Sequence, residues 1–256
     1  MSFSIIAEDI ITVEKLWNNN SFERDSIEPI KRFFDDFSFG DIKPLIEFDG
    51  GVLRANDVEI DFSMIKAGED VLSVLFDEIR NRQTISIVSA VLLLDSIYHT
   101  QTYNALGFAV ELKHLFDKEK PKLIDAIINA NKESDLNTRA LCVKEIATIM
   151  KKRNGRYAYS FATKFCNWIN PEAFPIIDSY VAWLLRNIMY EGKPVLRNSF
   201  GKYDAFINAY DHFMQHAIEN GKSLNYKQID TFMWTVGKII GKQSSITYIE
   251  PEGNIE

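Results

Sequence analysis

Cysteine is scarce in this chain: Cys142 and Cys166 are the only two in 256 residues. Two thiols cannot build a disulfide framework, a four-cysteine zinc site or an iron–sulfur cluster, and such sparing use fits a reducing compartment. Long apolar runs are missing as well. The most apolar stretch, "ISIVSAVLLLD" at 85–95, falls short of the ~20 residues that a bilayer-spanning helix needs, so it reads as a buried core helix. The start, "MSFSIIAEDIITVEKLW", has no basic leader and meets Glu8 and Asp9 early. It is unlike a signal peptide, and a cytoplasmic protein without membrane contact is expected. The four histidines, His99, His114, His212 and His216, form no motif of metal ligands. His212 and His216 have the i, i+4 spacing of a ligand pair, but the glutamate of an HExxH motif is not between them, so no metal site is expected.

Net positive charge is also lacking. The formal charge is −7 and the sequence pI about 5.3, so no global field draws the chain toward nucleic acid or an anionic membrane. The charge is unevenly spread, however. Residues 1–60 carry 13 acids and 6 bases, a net of −7 (6 − 13). Residues 144–164 carry six bases (Lys144, Lys151, Lys152, Arg153, Arg156 and Lys164) against Glu145 alone, a net of +5 (6 − 1). This basic island reads either as a solvated helix end, where cations complement the helix dipole, or as a local patch for a polyanion.

What the chain does hold is apolar and aromatic substance: 46% hydrophobic and 12% aromatic residues, enough for a substantial core. Apolar positions recur at helical spacing. Ile6, Ile10, Val13 and Trp17 predict a helix over 4–17, and Val71, Leu72, Leu75 and Ile79 predict one over 67–80. Further helices are predicted at about 85–99, 104–116, 121–132, 138–153, 159–169, 179–190, 202–219 and 226–240, and Phe33-Phe34 reads as part of another amphipathic helix. The β signal lies in "PLIEFDGGVLRANDVEIDF", where two alternating runs flank Asp49-Gly50-Gly51. The expected fold class is therefore all-α, or mainly α, with a small β-hairpin near residues 44–62.

Within the basic island, "VKEIATIMKKRNGRYAYSFATKFCNW" divides into one helix ending near Lys152, a tight connection at Asn154-Gly155, and a second helix from about Tyr159. Asn-Gly tolerates the positive φ of a short turn, and the free N–H groups of the second helix, flanked by Lys and Arg, suit phosphate oxygens. Lys151, Lys152, Arg153, Asn154, Gly155 and Arg156 are thus the candidate nucleic-acid contacts. Fourteen residues after Lys164 (178 − 164), Asp178 opens the next apolar helix. Each residue has an ordinary reading: Asp178 as a helix N-cap and Lys164 as a lysine that snorkels from a packed helix to solvent.

Together, "ATKFCNW" and "AFPIIDSYVAWLL" resemble the catalytic segment of helix-hairpin-helix DNA glycosylases, in particular the short prokaryotic 8-oxoguanine glycosylase-like branch. The matching residues are Thr163-Lys164 and Pro175-Ile176-Ile177-Asp178, and "YKQIDTFMWTVGK" at 226–238 resembles that branch's closing helix. The usual Gly-x-Gly of the hairpin is here "GRYAYSFA", with Gly155 as the turn residue. The resemblance spans roughly residues 138–240. It implies a chain made of an N-terminal mainly helical region with the hairpin (1–135), a helix-hairpin-helix glycosylase-like region (136–242) and a flexible acidic tail (243–256).

By the same resemblance, Lys164 is the nucleophile, Asp178 the carboxylate that stabilises a cationic sugar, and the substrate a damaged or modified purine. No cofactor is implied. The partner would be DNA, single-stranded or modified DNA included, or else RNA or a nucleotide. Members of the branch also occur beside antiphage signalling genes, so repair and antiphage defence are both open. An extruded base needs aromatic faces, for which Phe200, Tyr203, Phe232 and Trp234 are candidates. The alternative is a non-catalytic nucleic-acid- or protein-binding module on the same helical scaffold.

Overall fold

The structure is a computed structural model that describes residues 5–6, 10–11, 13, 28–36, 45–49, 52–55, 57–98, 104–131, 136–154, 157–190, 203–216, 218–219 and 224–243. Over these residues the chain is mainly α-helical with a small three-stranded antiparallel sheet. It divides into two compact units, one built from residues 1–66 and 179–256 and the other from residues 67–178. The division at 135/136 drawn from the sequence falls inside the second, contiguous unit.

In the first unit, Ile5–Ile6 (β1) pairs in parallel with Ile218–Glu219 (β5), Ile5 lying opposite Ile218. The helix predicted over 4–17 is accordingly corrected at its start. Two successive β-branched residues suit an extended segment, and helical conformation is described at Ile10, Ile11 and Val13. The predicted hairpin is a three-stranded meander: Ile46–Asp49 (β2), Val52–Ala55 (β3) and Val58–Asp61 (β4). The second alternating run is split by a turn at Asp57, a turn-forming residue, and so yields two strands rather than one. Gly50 and Gly51 lie outside the described residues.

Register follows from the period of two. Ile46 pairs with Ala55, Leu53 with Ile60, and Ala55 with Val58, so one face of the sheet is apolar and buried. On the other face Glu47, Arg54 and Glu59 line up across the strands, and Arg54 Nε donates to Glu59 Oε2 at 3.1 Å. The unit also holds Glu28–Asp36 (α1) and, later in the chain, the helices numbered α8 to α10 below. Phe33 and Phe34 of α1 are buried, and the Phe33 ring meets Phe232 edge-on at 5.4 Å.

The boundary between the units falls within Phe62–Arg80 (α2), whose first turn is capped by Asp61: its Oδ1 accepts from the Met64 N–H at 3.1 Å and from Ser63 Oγ at 2.6 Å. The buried stripe of α2 in the second unit is Leu72, Phe76 and Ile79. Val71, expected on that face, is 52% exposed, because Phe76 continues the stripe from Leu72 at i+4. Next come Ser86–Tyr98 (α3), Ala105–His114 (α4) running into a π-helical turn at Leu115–Glu119, Leu123–Asn129 (α5), Leu136–Asn154 (α6) and Tyr159–Ile169 (α7). Helices α3 and α4 pack on each other, α6 packs on α7, and α3 also touches α7. The stretch at 85–95 is core on one face: Ile87, Ala90, Val91 and Leu94 of α3 are buried, whereas Ile85 and Leu92 are exposed.

Completing the first unit are Ser179–Tyr190 (α8), Tyr203–His216 (α9) and Tyr226–Gln243 (α10). Helices α8 and α10 pack closely at Gly237, where an added Cβ would lie 2.7 Å from the Tyr180 Cβ. The acidic tail beyond Gln243 lies outside the described residues. No described helix is long and apolar enough to cross a membrane.

Candidate active site

Helix α7 reads "YSFATKFCNWI", and nearly every residue from Phe161 to Ile169 is buried. Apolar residues alone would explain burial of one face; here Thr163, Lys164 and Asn167 are buried too, so this helix is enclosed almost all round. Its aromatic packing is dense. Phe161 meets Phe108 edge-on at 4.8 Å, and Phe165 lies between Phe76 at 5.2 Å and Phe116 at 5.9 Å. Lys164 sits in this surround with its side chain 4% exposed, so the snorkelling expected of an ordinary surface lysine is overturned.

The polar residues of α7 hold the segment that follows. Pro175 lacks an N–H and keeps "FPIID" from continuing as helix, so that segment's backbone needs side-chain partners. Asn167 Nδ2 donates to the Phe174 carbonyl at 2.7 Å, and Arg139 of α6 donates to the Ala173 carbonyl at 3.1 Å. The Ile177 N–H donates to Thr163 Oγ1 at 3.1 Å. Thr163 and Asn167 are one helical turn apart, so they act as two rungs that fix the segment along α7. Upstream, Asn170 Nδ2 is within bonding distance of the carbonyls of Ile127, Ile128 and Ala130, and Arg80 donates to the Trp168 carbonyl at 2.7 Å.

The rungs set the reach of Asp178, which directly precedes Ser179 of α8. Lys164 Nζ lies 3.3 Å from Asp178 Oδ2 and 3.1 Å from Ser160 Oγ, one turn earlier on α7. The Asp178 side chain is 8% exposed. On a third side the amine faces the ring of Tyr98, 5.9 Å from its centroid. The structure thus brings together the two residues singled out from the sequence, in a buried, directly paired arrangement.

Nearby nucleophiles are muted. Burial raises the Cys166 thiol well above its ordinary range, and desolvation pushes Cys142 up to about 11.

The remaining candidates are dispersed. Lys151, Lys152, Arg153 and Asn154 form the last turn of α6, which extends two residues past the end expected near Lys152; the described set holds their helical backbone but not their side chains. Gly155 and Arg156 lie outside the described residues, as does Phe200. The Ala158 N–H donates to the Ala147 carbonyl at 3.2 Å and ties the start of α7 back to α6. Tyr203 and Phe232 are buried in the first unit, stacked on Phe206 at 6.1 Å and against Phe33 respectively. Trp234 is half-buried, with Tyr180 edge-on at 6.4 Å and Lys238 Nζ 4.6 Å from its ring centroid. His212 is exposed on α9, and no group of three His, Cys, Asp or Glu side chains suited to a metal occurs among the described residues.

Two residues of the lysine's surroundings escaped sequence reasoning: Tyr98, and Glu69, to which the Tyr98 hydroxyl donates at 2.5 Å. Neither carries a motif, and only the packing of α3 on α7 brings Tyr98 to Lys164. A separate groove of about 490 Å³ in the same unit is lined by Lys120, Leu123, Leu141, Cys142 and Glu145 among others, and neither Lys164 nor Asp178 lines it.

Against known proteins, residues 56–173 match the family described as HI_0787_N, N-terminal domain. The matched stretch covers most of the contiguous unit and includes Lys164 but stops before Asp178. The chain is also similar to a Haemophilus influenzae protein titled "Uncharacterized protein", with 35% identity over 102 residues, 40% of this chain and 48% of that one. The chain thus spans about half the length of that curated relative. No solved structure matches.

Proposed function

We propose that the chain is a DNA glycosylase/AP lyase-like enzyme of helix-hairpin-helix type that excises a damaged or modified purine, with Lys164 as nucleophile and Asp178 as its charge-stabilising partner. The observation that carries this reading is the 3.3 Å approach of the Lys164 amine to the Asp178 carboxylate across fourteen residues of chain (178 − 164). Cleavage of an N-glycosidic bond builds positive charge on the sugar, and a rigidly held carboxylate stabilises that charge. The neutral amine attacks C1′ as the C1′–N bond breaks and the bond's electron pair leaves with the base, which takes up a proton. The amine then gives up a proton as the C1′–O4′ bond of the sugar opens with protonation of O4′, and the resulting imine permits β-elimination of the 3′ phosphate. The last turn of α6 and the start of α7 would grip the phosphate backbone through Lys151, Lys152, Arg153 and the first N–H groups of α7. Repair and antiphage defence are both compatible with this chemistry, because a fold does not choose its substrate.

Borohydride trapping on oligonucleotides that carry 8-oxoguanine or an abasic site tests the proposal. A covalent adduct formed by the wild type and lost in Lys164→Gln is expected. An equal adduct yield from that variant rejects Lys164 as the nucleophile.

A second reading, a structural ion pair inside a non-catalytic binding module, is favoured by the near-complete burial of both partners. Breaking a buried pair from one side typically costs about 3–5 kcal/mol, because the other charge is stranded. If the pair is only structural, Lys164→Met should be destabilised to that extent, and Lys164→Met with Asp178→Asn should recover most of the loss in urea unfolding, while the wild type yields no adduct with either oligonucleotide.

A further inference from the structure

We infer that Tyr98, latched by Glu69, controls access to the Lys164 amine. Two sides of the amine are occupied by Ser160 of α7 and by Asp178, whose approach is fixed by the rungs described above. The third side is closed by a side chain of a different element: Tyr98, the last residue of α3, half-buried and with its ring over the amine. Any ring-sized molecule that reaches the nitrogen from that side must displace Tyr98.

Tyr98 is held in place by its phenol, which donates to Glu69 Oε1 at 2.5 Å. Glu69 is itself buried, so its carboxylate is a fixed anchor rather than a solvated surface charge. The preceding residues are neighbours as well: a Cβ on Gly68 would run into the side-chain end of Ile97. The latch thus includes a hydrogen bond between two helices, and breaking it loosens a side chain at a helix end without disturbing the rungs that set the Lys164–Asp178 distance. The access role stands on this geometry; its use in admitting an extruded base rests on the glycosylase reading above.

Reductive labelling with pyridoxal 5′-phosphate, whose ring is comparable in size to a nucleobase, tests the latch without nucleic acid. The aldehyde condenses with a neutral amine, water leaves, and borohydride delivers hydride to the imine carbon to give a stable secondary amine. Peptide mass spectrometry then reads the labelling of Lys164 against that of the exposed Lys118 and Lys144.

In the wild type, Lys164 should label far more slowly than both references. Tyr98→Phe and Glu69→Ala each remove the latch bond and should each speed Lys164 labelling by roughly three- to tenfold, the change in an opening equilibrium expected from one hydrogen bond. Combining the two should add little, since both delete the same interaction. Tyr98→Ala, which removes the ring itself, should give the largest increase. Unchanged Lys164 labelling in Tyr98→Phe and Glu69→Ala overturns the inference. Should Tyr98→Ala lose cooperative unfolding, those two variants, which keep the ring, decide the matter. Faster labelling in the variants with no adduct on abasic-site DNA keeps the latch and rejects the glycosylase reading. Adduct formation with labelling unmoved in the variants does the reverse.

Discussion

At the scale of single residues, the candidate site depends on a threonine as much as on the lysine beside it. Thr163 Oγ1 accepts the buried Ile177 N–H one residue before Asp178, and its hydroxyl proton can be given to the Tyr159 carbonyl 3.0 Å away on its own helix. Valine has almost the same shape but cannot accept. Thr163→Val should therefore leave the Ile177 N–H unpaired and cost about 1–3 kcal/mol in urea unfolding, whereas Thr163→Ser, which keeps the oxygen, should stay much closer to the wild type. Equal stability of the two variants would mean that the Ile177 amide finds another acceptor. Residue identity made Lys164 and Asp178 legible in the sequence, since an amine and a carboxylate at two neighbouring helix starts stand out in an apolar stretch. Tyr98 and Glu69 were not legible: a tyrosine at the end of an apolar helix and a glutamate inside an amphipathic one are ordinary until tertiary packing brings the tyrosine's ring to the amine and its hydroxyl to the glutamate.

At the scale of elements, helical periodicity carried most of the information. Helices α7 and α8 begin and end at the predicted residues, and most other helices differ from prediction at their ends. The misreadings have local physical causes. Ile5–Ile6 is apolar in a helical pattern but finds a strand partner far along the chain, and Asp57 hides a turn inside what reads as one alternating run. Helix α2 begins five residues before its predicted start (67 − 62) because Asp61 caps it there.

That cap gives a prediction with a definite sign. The Ser63 hydroxyl, and then the Met64 N–H, hold the Asp61 carboxyl below its ordinary value of 3.8. Its contribution is thus fully present above that value and is lost as pH falls through the lower folded-state value. Asp61→Ala should cost about 1 kcal/mol near neutral pH, and the gap between variant and wild type should close in strongly acidic buffer. A gap that persists unchanged at the acid end would show that the loss came from packing rather than from the carboxylate.

For the whole molecule, the arrangement of the chain matters more than the count of helices. Residues 67–178 form a compact unit from one uninterrupted stretch, and the match to the HI_0787_N family covers most of it. A fragment of residues 62–178, which keeps α2 whole, should fold by itself, with a helical circular dichroism spectrum and a single cooperative thermal transition. A broad, non-cooperative melt would show that this unit depends on the remainder of the chain. None of this organisation is visible in composition or periodicity, because both are local, whereas the split into units is a property of long-range contacts.

The pairing of Ile5 with Ile218 spans 213 residues (218 − 5), and a ribosome releases those two isoleucines at widely separated times. During synthesis the uninterrupted unit can mature as soon as it emerges, while the opening segment waits for partners still to be polymerised. Closing so long a loop is an entropically costly step of assembly, so the pairing of Ile5–Ile6 with Ile218–Glu219 should form late, after the uninterrupted unit has matured.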